Sequence, residues 1–346
     1  MRRVIGPVIV VCLSVATLGA SGAHADSTTT TSLGLSSTTT TRPNTTSPLK
    51  RSRVAPLTGL PDPTRLTQRR SALTIKIDNT PEAMPQYGID KADDVYEEIV
   101  EGGITRLAAI FNSHLPTEVG PLRSVRRTDR ELVYRIGGIF AFSGGAQYAL
   151  ESIASAPVKL ITESDAGAAM FRVATRYPPH NLFANAVLLM AKGGKPKPPP
   201  ALFTYRSVST PARGPRVNSF IVGFASGYAA SYTWNGTTRS WDRSIFGSPD
   251  VSATGVRLSP RNVIVMNVKY LGGVGVLGSY ALLVGSGPAE VFTAGRVQRA
   301  KWSRKGLSQP IIYKNSSGRV IALTPGQTWV ELLDPTQHAS ITSSVH

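Results

Sequence analysis

The sequence predicts an α+β protein: a mixed N-terminal α+β domain, then a smaller β-rich C-terminal domain, both behind a signal peptide and a disordered threonine-rich tether. Three observations predict it. Up to about residue 192, alternating apolar residues are interleaved with helix-spaced ones. Lys192-Gly193-Gly194-Lys195 and the prolines 196, 198, 199 and 200 then interrupt the chain. Beyond them the periodicity is that of strands. The expected divisions are 1–25, signal; 26–52, tether; 53–195, first domain; and 196–346, second domain.

The first 25 residues read as a secretory signal. Arg2 and Arg3 form a basic start, Val4 to Leu18 is apolar, and Ala23-His24-Ala25 is a small-residue cleavage site. The apolar run is shorter than the roughly 20 residues that span a bilayer. Leu18-Gly19-Ala20-Ser21 resembles a lipidation site with serine in place of the lipidated cysteine. The one cysteine, Cys12, falls inside the apolar run, so a disulfide scaffold is excluded. Removing residues 1–25 takes away Arg2 and Arg3 and no acid, lowering the net charge from +17 to +15. Such an excess points to an acidic neighbourhood. Export and the lack of a recognisable nucleic-acid module rank nucleic acid last, behind anionic wall polymer and lipid headgroups; the alternative is a basic surface that only keeps the protein soluble. Residues 26–48, rich in threonine with Pro43 and Pro48, have almost no apolar side chains and are expected to be disordered.

The folded part is expected to start near Val54. Leu73 to Ile77 alternates and reads as a strand ending at Asp78-Asn79. Val95 to Val100 and Ile104 to Phe111 are two more strands around Gly102-Gly103. Gly120-Pro121 opens a predicted helix, Leu122 to Ile136. Ile139 to Phe142 is a short strand before Ser143-Gly144-Gly145; Ala146 to Ser155 and Asn181 to Lys192 read as helices, with Asn181 as the cap of the second. In the second half, Asn235-Gly236 marks a hairpin. Further strands are expected at 262–270, 280–284, 289–292, 311–313, 320–323 and 328–332.

The densest run of functional side chains is Glu97 to Arg130, EEIVEGGITRLAAIFNSHLPTEVGPLRSVRRTDR. Arg123, Arg126, Arg127 and Arg130, spaced 0, 3, 4 and 7, would share one face of the predicted helix. Positive charge in a first helical turn opposes the dipole, whereas arginine forks and free N–H groups suit an anion. Asp93, Asp94, Glu97, Glu98 and Glu101 are the nearby acids. Along a strand Glu97 and Glu101 would share a face and Glu98 would point to the other. The candidate acid–base groups are Glu97, Glu98, Glu101 and His180. The candidate ligand-binding residues are Asp78, Asn79, Arg106, the four arginines, Ser143 and Asn181. No histidine has metal-ligand spacing, so neither metal nor cofactor is implied. Gly273 to Gly278 matches a dinucleotide fingerprint by letter, but no helix follows it, so it reads as a loop.

Several runs resemble the YerB-like family of bacterial cell-envelope proteins, commonly lipoproteins. They are PLTGLP at 56–61, IDN at 77–79, PQYGIDKADDVYEE at 85–98, EGGITRLAAIF at 101–111 and GPLRSVR at 120–126. PGQTW at 325–329 and the Trp302 region are similar to that family's second domain. The resemblance implies an envelope location and a two-domain plan, and no reaction. Ser21 departs from the lipoprotein pattern.

The leading expectation is a secreted, extracytoplasmic protein that binds an anionic wall polymer, peptidoglycan or lipid-linked phosphate. The alternatives are a wall-glycan hydrolase or transferase using the glutamates and arginines, and a scaffold for another envelope protein.

Overall fold

The structure, a computed structural model, describes residues 53–335 and the backbone of 341–344. The expected signal, its Ser21 and the tether lie outside the described residues. In chain order the elements are β1 (Leu73–Asp78), β2 (Asp94–Ile99), β3 (Thr105–Phe111), α1 (Arg127–Ile136), β4 (Ile139–Ala141), α2 (Gln147–Ala154), β5 (Lys159–Ile161), α3 (Glu163–Ala166), β6 (Met170–Arg172), β7 (Leu182–Ala184) and α4 (Ala186–Ala191). There follow β8 (Ser219–Gly223), β9 (Ala229–Asn235), β10 (Ser240–Ile245), β11 (Ser248–Pro249), β12 (Asn262–Asn267), β13 (Tyr270–Leu271), β14 (Tyr280–Ala281), β15 (Gly285–Thr293), β16 (Arg296–Arg304), β17 (Ile312–Lys314), β18 (Thr328–Leu333) and β19 (Ile341–Ser344).

Ten strands form one sheet in the order β17-β16-β15-β12-β18-β2-β3-β1-β4-β5. The early and late parts of the chain meet where β18 pairs parallel with β2, placing Glu331 opposite Glu97 and Trp329 opposite Val95. A second sheet, β11-β10-β9-β8-β19, packs its inner face on the large one. There the rings of Phe220 and Phe292 stack at 3.6 Å, with Trp241 edge-on to Phe220 at 5.2 Å. These buried aromatics supply large contact areas at the inter-sheet core.

Three sequence expectations are corrected here. The helix begins at Arg127, not Leu122. The N–H groups of Leu122, Arg123 and Val125 donate instead to the carbonyls of Leu182, Lys76 and Gly144, so 122–125 is extended and Arg123 stands outside the helix. Tertiary pairing here overrides helical spacing. Gly120 makes this possible: its φ is +155°, and a Cβ would lie 2.8 Å from the Phe183 ring. Second, 181–192 divides into β7 and α4, and the helix cap is Asn185, which accepts from Val187 N and Leu188 N at 3.0 and 3.1 Å. Third, residues 320–323 make only bridges, Val320 with Lys314 and Leu323 with Tyr205.

Asp94 in β2 is fully buried, and neither carboxylate oxygen has a hydrogen-bond partner among the described residues. Burial, helped by the charge of Asp93, pushes its carboxyl well above the ordinary 3.8. The folded chain therefore binds a proton that the unfolded chain releases above that value, so this group's contribution falls as pH rises. Asp94→Asn is expected to gain stability over the parent between about pH 3.5 and pH 7.5. Urea midpoints at both pH values check this; a difference that does not change with pH would contradict it.

Candidate functional site

β1, β2 and β4 run parallel, with β3 antiparallel between β1 and β2. Ligand sites of open α/β sheets favour the carboxyl ends of such strands. At that end Asp78 closes β1, Glu101 follows β2, and Ser143 follows β4. Arg106, in β3, lies opposite both Asp78 and Glu98. Arg123 reaches the same face because Leu122 bridges Ile77 and so brings Arg123 alongside Lys76.

The side chains converge in ion pairs. Asp78 Oδ2 lies 2.7 Å from His180 Nδ1 and 3.1 Å from Arg123 Nε. Its Oδ1 accepts from Thr80 N at 3.2 Å. Arg126 Nε donates to Glu101 Oε2 at 2.6 Å, and Tyr148 donates its hydroxyl to Glu101 Oε1 at 3.4 Å. Burial raises the Glu101 carboxyl, but Arg126, a backbone bond and Arg106 outweigh it, so it sits below the ordinary range. Arg106 Nη1 donates to Ser124 O at 3.0 Å, and Ser124 and Ser143 face each other at 3.5 Å.

Arg106 is the most confined member. It is 5% exposed, and its Nε has no hydrogen-bond partner among the described residues. Burial first, then the charges of Arg126 and Arg123, push the guanidinium down to about 10. Arg123 Nε, despite its nearness to Asp78, is also without an aligned acceptor. Three guanidinium groups thus face two carboxylates, with two N–H groups unspent. An anion entering this group would gain charge-assisted hydrogen bonds at small ordering cost.

The other arginines of the predicted stripe go elsewhere. Arg127 donates to Gly278 O at 3.2 Å and lies over the Tyr280 ring at 4.2 Å. Arg130 Nε bonds Ser155 Oγ at 2.6 Å. The helix start is occupied too, because Asp129 Oδ2 accepts from Arg126 N at 2.7 Å. The expected single arginine face and open helix terminus are therefore both corrected.

Glu97 and Glu98 point to opposite faces, as alternation predicts, and both are sealed inside. Glu97 bonds Asn79 at 2.9 Å, Thr105 at 2.7 Å and Arg243 at 2.7 Å. Glu98 pairs with Lys76, which also holds Asp129 at 2.8 Å. Glu101 does not share the Glu97 face: it lies past β2, in a turn where Gly102 has φ of +74°. Asn79 is committed to the Glu97 network, and Asn181 accepts from Arg172 at 2.7 Å. Gly273 to Gly278 lies between β13 and β14, where Gly275 O accepts from Gly102 N at 2.9 Å. A Cβ on Gly275 would lie 2.9 Å from Gly103 N, so close approach of two backbones explains that glycine.

Sequence reasoning missed Lys76 and Arg243, whose partners lie up to 146 residues away. It also missed Thr80 and Tyr148. A lysine inside the alternating run Leu73–Asp78, which is buried throughout, was the available signal for the first.

Comparison with known proteins bears on this arrangement. The family model described as the N-terminal domain of a protein of unknown function (DUF3048) matches residues 57–197. The model of the DUF3048 C-terminal domain matches 220–330. YerB of Bacillus subtilis (strain 168), named as a lipoprotein, is 37% identical over 132 residues, which are 38% of this chain and 40% of YerB. The match thus spans well under two thirds of that relative. A crystal structure of YerB from Bacillus subtilis superposes with a TM-score of 0.73 at 24% identity, covering 84% of this chain and 99% of the solved one. That is a likeness of fold.

Proposed function

The chain belongs to the DUF3048 family, and we propose that it is a cell-envelope protein that binds an anionic group through Arg106, Arg123 and Arg126. Envelope association rests on the relative named as a lipoprotein. Among the described residues no helix is long and apolar enough to cross a membrane. The observation that carries the binding reading is Arg106, buried with an unspent N–H beside two further guanidinium groups. An arginine is never discharged at ordinary pH, so the remedy for such crowding is an anion. The +17 formal charge of the chain would draw anionic wall polymer or lipid-linked phosphate toward it.

Isothermal titration with inorganic diphosphate tests this. Arg123→Gln and Arg126→Gln are each expected to raise the Kd about 10- to 100-fold, since a hydrogen bond to a charged partner is worth about 1.5–3 kcal/mol. Arg127→Gln and Arg130→Gln, outside the cluster, should bind like the parent. Equal binding by all four variants would overturn the reading.

A second reading, a wall-glycan hydrolase or transferase, has one observation in its favour. A buried carboxylate holds His180 Nδ1 at 2.7 Å, which leaves Nε2 as the nitrogen available to a ligand proton. Under that reading the parent releases sugar or phosphate from purified walls, and His180→Gln abolishes release while retaining diphosphate binding.

A further inference from the structure

The loop between β6 and β7 carries His180 into the arginine cluster, and it carries a second feature with no role in the interior. Tyr177 is 89% exposed. It begins the turn Tyr177-Pro178-Pro179-His180, closed by a bond from His180 N to Tyr177 O of 2.9 Å. Such a turn keeps its end Cα atoms within about 7 Å. Two prolines fix its φ angles. The preceding residue is also fastened: Arg176 donates to Ala83 O at 2.7 Å and Pro85 O at 2.6 Å, and lies 5.7 Å over the rings of both Tyr87 and Phe183. Phe171, 38% exposed, stacks on the buried Phe183 with ring centroids 6.4 Å apart.

An isolated exposed ring needs no explanation. This one is presented on a constrained turn, three residues from the histidine that touches Asp78. A rigid aromatic face offers contact area at low ordering cost, and its negative face attracts polarised C–H groups. Beside an anion site, the complementary ligand has a ring attached to a phosphate. We infer that the ligand is a phosphorylated sugar unit, its phosphate held by Arg106, Arg123 and Arg126 and its ring laid against Tyr177. This inference rests on the anion-binding reading and adds to it the chemical class of the ligand.

The test uses the full chain, with inorganic phosphate and N-acetylglucosamine 1-phosphate as probes. The parent is expected to bind the sugar phosphate about tenfold more tightly than phosphate, the scale of one aromatic contact. Tyr177→Ala should lose that margin and keep phosphate affinity, while Tyr177→Phe keeps both. If Tyr177→Ala binds the sugar phosphate as tightly as the parent, the inference is overturned and the anion site stands. If Arg123→Gln binds both probes like the parent, or the parent binds neither, the anion site itself falls. Co-sedimentation with purified walls, and with vesicles bearing a glycosyl-phosphate lipid, separates the two sources of such a unit. A Tyr177-dependent pellet with either supports the inference; Tyr177-independent pellets oppose it.

Discussion

Arg243→Met is expected to destabilise the protein by about 3–5 kcal/mol, the usual result of removing one partner of a buried ion network. Arg243 is fully buried on β10. Its Nη2 donates to Glu97 at 2.7 Å, its Nη1 to Asp250, and its Nε to the Tyr232 hydroxyl at 3.1 Å. The guanidinium lies 4.6 Å over the Trp329 ring. Tyr232 in turn donates to Glu331, whose carboxyl burial and Glu97 push well above its ordinary value. One cation thus pairs with Glu97 of β2 and with Asp250 just past β11, and reaches Glu331 of β18 through the Tyr232 hydroxyl, at the seam where early and late parts of the chain join. Methionine fills a similar volume, so the expected loss is electrostatic and not a cavity. Urea denaturation measures it; a loss below about 1 kcal/mol would show that the network is not what holds the seam.

On the other face of the sheet, Lys76→Met is expected to cost a similar 3–5 kcal/mol near neutral pH. Lys76 is fully buried between Glu98 and Asp129. Even with the lysine present, burial first and Glu98 next hold the Asp129 carboxyl up at about 6, against the opposing pull of Lys76. Without it, the Asp129 carboxyl would rise further. A carboxyl whose folded value is raised binds more protons in the folded state than in the unfolded state, so stability falls as pH climbs through that window. The deficit of Lys76→Met should therefore shrink as pH is lowered below about 6 and be largest above about pH 7. A deficit that stays constant with pH would show that the cost is packing.

These two cations explain what the sequence could and could not convey. Alternation in Leu73–Asp78 and in the two strands that follow was legible, and it assigned Glu97 and Glu98 to opposite faces. Alternation names a face and not a partner. Nothing local tells that Glu97 meets a residue 146 positions later, or that Asp129 turns inward to a lysine of β1. The arginine spacing was compatible with one helix face, yet the chain places Arg123 on the edge of β1 because neighbouring carbonyls claim its backbone. β16, RVQRAKWSR, escaped notice because its outward positions are cationic and its buried ones few. The gathering of acids, arginines and His180 at one end of the sheet was foreshadowed by the dense block and by the histidine after two prolines. Its division into a sealed interior framework and a part-buried arginine cluster required the register.

We propose that Arg106, Arg123 and Arg126 together receive an anion. The most direct measurement follows the arginine Nε–H signals by nitrogen-15 NMR while diphosphate is added. Saturable shifts are expected at Arg106, Arg123 and Arg126, with a common Kd, and none at the sealed Arg243. The proposal is contradicted if those three signals stay fixed at saturating diphosphate, or if they move no more than those of exposed arginines such as Arg239.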